Sequence, residues 1–368
     1  MIEKGKISPV QMSLMMNPTI SATAVLLVPA ITAQHAKQDL WLSPIWAAPI
    51  GFLAIFIAYR LNKIYPNESI IEYSGHIIGK IPGKMIGLLF LLFYLHVGGI
   101  VIQEYGQFVV GTFLQRTPIH VVMISMILVS AFAVNGGIEV IARTSQIILP
   151  VVFLFYLLII IMLLPDIDVQ QIAPFMGQGI TPSIKGAAVP SGWFSEFMLI
   201  TFLLPFISDK KKGMKWGMIS VASVMIILSL MNLITYMIFG PLTETFTYPV
   251  INAVRYISIA DFLEHVESVV MAIWVAGTFI KITIFYYAVT IGTAQWLKLS
   301  DYRPIVLPIG FLMVVFGLWS APNLSKLQSF LGTISPFYFT TVQIVVPILL
   351  LSIALLRKKL KRKKGAAT

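Results

Sequence analysis

The sequence predicts an all-α polytopic membrane protein with ten transmembrane helices, and three observations predict it. The chain of 368 residues is 58% hydrophobic and 11% charged, with a mean hydropathy of +0.89. A soluble domain is about half apolar and a quarter charged. Its apolar residues fall in blocks of roughly twenty, the length that crosses a bilayer as a helix, and such continuous blocks exclude a barrel of alternating strands. Lys and Arg are distributed asymmetrically between the blocks.

Ten spans follow, at approximately 7–33, 43–62, 84–113, 118–135, 139–164, 181–207, 213–239, 266–297, 303–321 and 335–356. With the N-terminus inside, twenty of the 26 Lys and Arg are cytoplasmic. Five lie outside: Lys37, Arg116, Lys185, Arg255 and Lys326. Lys281 is left over, deep inside span 8. Miscounting by one span would scramble this positive-inside bias, so both termini are expected in the cytoplasm. No loop leaves room for a soluble domain, and residues 1–368 read as one transmembrane domain. The outer loop before span 8 contains SIADFLEHVES, which has a mixed face suited to a short helix lying over the bundle.

Composition excludes several functions. Without Cys there are no disulfides, thiolate metal sites or Cys nucleophiles. The five His show no metal-binding spacing, and no nucleophile–base–orienter set is evident, so neither a metal, a cofactor nor enzymatic activity is expected. The N-terminus MIEKGKISPVQ lacks the pattern of a removable signal peptide. The net charge of +11 does not indicate nucleic acid. Seven basic residues lie in the tail RKKLKRKKG just after span 10, where anionic lipid is the expected partner of segment 357–368.

Two spans carry interruptions. Span 1 contains MMNPTISATAVLLVPA, with Pro18 followed by Thr19, Ile20, Ser21, Ala22 and Thr23. Span 6 contains Pro190, Ser191, Gly192 and Trp193, and Glu196 follows one turn later. A helix interior loses a hydrogen bond at proline, and in a membrane the freed backbone must be satisfied by protein, ligand or water. Five spans apart, these helices enter from opposite sides. Matching breaks in two opposed halves, about 7–164 and 181–356, point to a site near the midplane. A simple kink filled by Ser or Thr is the blander reading of either break.

Three ionisable residues lie deep: Glu104 in span 3, Glu196 in span 6 and Lys281 in span 8. Charged residues at such depth pair within the bundle or line a cavity. Lys281 is a candidate partner for either acid, which leaves one carboxylate for a proton, helix amides or a ligand ammonium. In span 3, His96, Gly99, Gln103 and Gln107 form a polar, small-residue stripe flanked by Glu104. It reads as a cavity wall, with a tight helix contact as the alternative. Span 8 carries Trp274, Thr278 and Lys281 on one stripe and Thr283, Tyr287 and Thr290 on another, so it is expected to be central.

The broken spans in a five-plus-five arrangement resemble the leucine-transporter fold of the amino acid–polyamine–organocation superfamily, with discontinuous helices 1 and 6 in an inverted repeat. Local segments resemble, more narrowly, the B subunits of spore germinant receptors: ISPVQ before span 1, QDLWLSP before span 2, FSEF…LPFI in span 6, and YPVINAVRYISIADFLEHVESVVMAIWV into span 8. The span 1 segment NPTISATA departs from such transporters in having no glycine. The resemblance implies a subunit of the spore inner membrane that binds a small germinant, such as an amino acid, and signals to receptor A and C subunits. A proton-coupled amino-acid transporter is the alternative. Placed on that fold, the ligand site comprises residues 19–23 and 190–193 with Glu196, walled by Ile100, Gln103, Glu104, Thr283 and Tyr287.

Overall fold

The structure, a computed structural model, describes residues 3–256 and 266–365, so most of SIADFLEHVES lies outside the described residues. Helices make up nearly all of it. Eight helical runs among the described residues are long and apolar enough to cross a membrane. The first, Pro9–Ile64, comprises α1 (Pro9–Ala36) and α2 (Ser43–Ile64), joined by the 3-10 segment Lys37–Leu42. A short α3 (Ile70–Ile78) precedes α4 (Lys80–Thr112), α5 (Ile119–Gly136) and α6 (Ile138–Leu163). The stretch 181–207 is no continuous helix. It is assembled from α7 (Thr181–Gly186), α8 (Ala188–Ser195) and the 3-10 segments Glu196–Phe202 and Leu204–Phe206. Then come α9 (Lys210–Phe239), α10 (Pro249–Tyr256), α11 (Val266–Leu297), α12 (Val306–Ser320), α13 (Leu324–Thr333), α14 (Ser335–Thr340) and α15 (Val346–Gly365).

The centre of the bundle is α1 and α11. Nearly every residue of α1 from Met12 to Ala33 is buried, and so is every residue of α11 from Ile280 to Gly292. A helix apolar all round is one covered on all sides. The expected central position of span 8 is what the structure has.

The expected break in α1 is absent: the helix runs unbroken through Pro18 and Pro29. Pro18 removes one N–H from the ladder. Local side chains hold the surrounding turns: Thr19 Oγ1 donates to Met15 O at 2.8 Å and Ser21 Oγ to Asn17 Oδ1 at 3.2 Å. Asn17 Nδ2 in turn donates to Ser223 Oγ on α9 at 2.8 Å. Unwinding residues 19–23 would expose several backbone pairs where water is scarce, each costing several kcal/mol. Staying helical loses a single bond.

Span 6 is broken, but not at Pro190–Gly192. Pro190 is the third residue of α8, where an N–H has no intrahelical partner in any case. The chain turns at Ala187 and departs from α-helix at Glu196, continuing as 3-10 to Phe202. Seven residues exceed the usual length of a 3-10 run, and such stretches within a helix mark hinges. Phe194, Phe197 and Phe202 are fully buried and hold this segment in place. A second irregularity faces it: between α14 and α15 the backbone makes a π-helical turn over Thr341–Val345.

The span 3 stripe is a helix contact rather than a cavity wall. A Cβ added at Gly99 would lie 2.7 Å from the backbone nitrogen of Gly317 on α12. Gln103 Nε2 donates to Ala321 O at 2.9 Å, beyond the end of the same helix. His96 Nδ1 lies 3.2 Å from Tyr338 Oη. Replacing Gly99 by Val should push α4 and α12 apart and destabilise the protein by about 1–3 kcal/mol, as overpacking does. Thermal unfolding in detergent measures this, and an unchanged midpoint would show that the close approach is not needed.

Candidate functional site

Four helical segments converge on a buried polar cluster near the middle of the bundle. Thr23 comes from α1, Glu104 from α4, Trp193 and Glu196 from the α8-to-3-10 junction, and Lys281 from α11. Lys281 is 0% exposed and Glu196 1%. Lys281 Nζ donates to Glu196 Oε2 at 2.9 Å and to Thr23 Oγ1 at 3.0 Å, and lies 5.7 Å from the ring centroid of Phe285. Trp193 Nε1 donates to the same Thr23 oxygen at 3.1 Å.

Thr23 is therefore the hub. With two N–H donors on its oxygen, its own proton is left to turn toward the nearby Glu104, whose Oε1 has no hydrogen-bond partner. Glu104 is 6% exposed and lies within electrostatic reach of both Lys281 and Glu196. One cation thus serves two carboxylates, and a buried carboxylate oxygen left unpartnered demands a further donor.

Trp274 of α11 roofs the cluster. Its indole N–H donates to Ala22 O of α1, and its ring packs on Tyr105 and Phe108 at 6.1 and 4.2 Å. A void of about 30 Å³ lies on one side, bounded by Pro18, Ser21, Ala22, Tyr156 and Gly277. A second, of about 10 Å³, lies on the other and is lined by Thr23, Glu104, Tyr248 and Gln328. The first has room for about two water molecules and the second for one at most, so among the described residues the hollow expected at the midplane is closed in this arrangement.

The remaining expected site residues are placed elsewhere. Thr19 is bonded to its own helix and Ile20 is buried in the core. Ser191 Oγ donates to Ala187 O. Gly192 faces Pro336 and Phe339 of α14, and Pro190 is buried in α8. Ile100 is packed in the core and Gln103 is engaged with Ala321. Thr283 Oγ1 is buried without a partner. Tyr287 packs edge-on against Tyr302 at 6.2 Å, close to Glu3, away from the cluster.

Sequence reading did not assign Trp274 or Tyr248 to the site, nor the contact of Gln343 with Ser195. Gln343 Nε2 donates to Ser195 Oγ at 3.0 Å, tying the π-turn to the end of α8. A lone glutamine inside an apolar span was the available signal; for Trp274 it was the stripe shared with Lys281.

Residues 6–325 match the family model described as spore germination protein. The chain belongs to that family. Relatives span it end to end: spore germination protein KB of Bacillus subtilis (strain 168) is 24% identical, covering 98% of both chains. Spore germination protein YndE of the same organism is 26% identical over 96% of this chain and 98% of its own. Among solved structures, the nucleobase-cation-symport-1 family transporter Mhp1, closed with bromovinylhydantoin bound, superposes with a TM-score of 0.73 at 9% identity. That match covers 95% of this chain and 78% of Mhp1. A substrate-bound, outward-open sodium-coupled sialic acid symporter gives 0.64 at 13% identity, covering 93% and 80%. At these identities the likeness is one of fold, and the fold of this family member is that of leucine-transporter-like carriers.

Lys281 carries the charge balance of the cluster. Lys281→Met would leave two carboxylates buried without a cation, and removing one partner of a buried pair typically costs about 3–5 kcal/mol. The single variant should lower the unfolding midpoint sharply. The double variant Lys281→Met/Glu196→Gln should recover most of the loss. Equal midpoints for the two would show that the pair does not hold the bundle.

Proposed function

We propose that this chain is the germinant-binding subunit of a spore germination receptor in the spore inner membrane, with both termini cytoplasmic. Its ligand is a small molecule with an ammonium group, such as an amino acid, and it signals to receptor A and C subunits. The reading rests on one observation: Glu104 is buried beside the Lys281–Glu196 pair with Oε1 unpartnered. An incoming ammonium supplies the missing donor and the missing positive charge, whereas an anion would meet two carboxylates.

The ligand does not fit the closed arrangement, because voids of about 30 and 10 Å³ are far below the few hundred Å³ of an ordinary ligand pocket. Binding therefore selects a second arrangement in which Trp274 and the 3-10 segment Glu196–Phe202 withdraw from α1. Because the ligand contacts only the opened state, it shifts the population toward it. Partner subunits read the movement of span 6 and, through the Gln343–Ser195 contact, of the π-turn preceding α15. The basic tail holds the cytoplasmic end against anionic lipid.

The fold shared with Mhp1 supports a second reading, a self-sufficient proton-coupled carrier of amino acids. Purified protein in liposomes, given labelled amino acids and a pH gradient, separates the two: accumulation without partner subunits favours the carrier.

The direct test of the site is Glu104→Gln in spores that carry it as their only copy. The substitution keeps size and removes the charge. The amino-acid concentration for half-maximal germination should rise by about tenfold or more, the effect of losing one charged hydrogen bond of roughly 1.5–3 kcal/mol. An immunoblot of the membrane fraction should show normal abundance. An unaltered dose–response at normal abundance removes Glu104 from the ligand site.

A further inference from the structure

A large opening near the charged end of the bundle is separate from the central cluster. It lies between the last turns of α2 and the first turn of α9, with a volume of about 520 Å³. Four cations line it, Arg60 and Lys63 from α2 and Lys210 and Lys211 from α9, and no carboxylate does. Lys6 stands near enough to Lys210 to add to the field.

The neighbouring acids are committed elsewhere. Asp209 caps α9, accepting from Lys211 N and Lys212 N at 3.1 and 3.3 Å, and pairs with Lys212 Nζ at 3.7 Å. Glu68 lies 3.1 Å from His76 Nδ1. Lys210 Nζ has only the neutral Asn67 Oδ1, at 2.8 Å. Four exposed positive charges around one opening set up a positive potential that attracts an anion.

An independent feature points the same way. Asn62 lines this cavity, is 6% exposed, and its Nδ2 donates to nothing. A buried amide N–H₂ without an acceptor costs about 1–3 kcal/mol, and a turn of this amide toward the cavity would give it an oxygen acceptor there. On the rim, Phe56 and Met214 are exposed apolar side chains, and Arg60 lies over the Phe56 ring at 5.0 Å.

From this we infer that the α2–α9 cavity binds a phosphate-bearing anion. The phosphate oxygens would accept from Asn62 Nδ2 and from the lysine and arginine side chains, in the manner of basic pockets between transmembrane helices. Two sources carry that group, the headgroup of an anionic phospholipid and a soluble phosphate. In the lipid case the acyl chains leave over Phe56 and Met214. The site is independent of the central cluster and of the ligand proposed there.

The test uses the full-length protein in neutral detergent, titrated separately with phosphatidylglycerol, phosphatidylcholine and inorganic phosphate. Bound lipid is read by native mass spectrometry and stabilisation by the unfolding midpoint. Phosphatidylglycerol should be retained at least tenfold better than phosphatidylcholine, or inorganic phosphate should raise the midpoint; the first result assigns a lipid source and the second a soluble one. In either case Lys210→Gln/Lys211→Gln should weaken the effect by about tenfold or more, the scale expected of two basic residues facing an anion. The same holds for Asn62→Asp, which preserves size and places a negative charge in the cavity. The variant Lys185→Gln/Lys326→Gln, at basic residues assigned to the opposite side of the membrane, should leave it unchanged. Equal retention of the two lipids with no response to phosphate, or binding that survives both cavity variants, overturns the assignment.

Discussion

The contact between Lys281 and Glu196 sets the terms for the rest of this molecule. Two opposite charges held at 2.9 Å with essentially no exposure tie the most central helix, α11, to the most irregular segment of the chain. Neither side chain is tolerable there alone, since an isolated charge in a low-dielectric interior is far costlier than a paired one. Thr23 of α1 joins them as a third corner. Three spans are thereby fixed in register by a few polar atoms, while the surrounding apolar packing is nearly featureless in direction. Hydrocarbon offers no hydrophobic preference between helix faces, so packing and polar contacts decide which faces meet.

The irregular backbone follows from the same constraint. Beyond Glu196 the chain is 3-10 rather than α, and opposite it the last span makes a π-turn at Thr341–Val345. Ser195 and Gln343 bridge these two departures from α-geometry. Irregular backbone at membrane depth survives only where protein covers it, and both segments are covered. They are also the places where helical hydrogen bonding is poorest, and hence where rearrangement disturbs the ladder least. Trp274, clamped to Ala22 O and stacked on Tyr105, separates two voids that are each too small for a ligand. The structure is thus a closed form, with the polar cluster sealed beneath an aromatic roof.

Much of this was legible in the residues. Long apolar blocks identify membrane helices because hydrocarbon accepts little else. Glu104, Glu196 and Lys281 could be singled out because a charge at that depth must have a purpose. Family membership was legible through segments such as QDLWLSP and FSEF…LPFI. The position of the break was not. Pro18 and Pro190 each look like a helix breaker, yet Pro18 is absorbed by Thr19, Ser21 and Asn17, and Pro190 occupies a first turn where its missing N–H is no loss. The actual departure comes at Glu196, whose neighbours carry no breaker at all. Likewise the Gly99–Gln103 stripe has the composition of either a wet wall or a close helix contact, and only the glycine at position 317 across from it decides for contact.

The sequence by itself determined the solvent this protein folds in, the approximate helices, and which three side chains would be electrically expensive. Those are properties of each residue against hydrocarbon, and they need no partner. Tertiary structure alone decided that Lys281 takes Glu196 rather than Glu104, that Thr23 is the shared acceptor, and that Tyr287 and Gly192 belong to other contacts. Pairing depends on distances between helices far apart in the chain, and one helix carries no record of which face its neighbour will present.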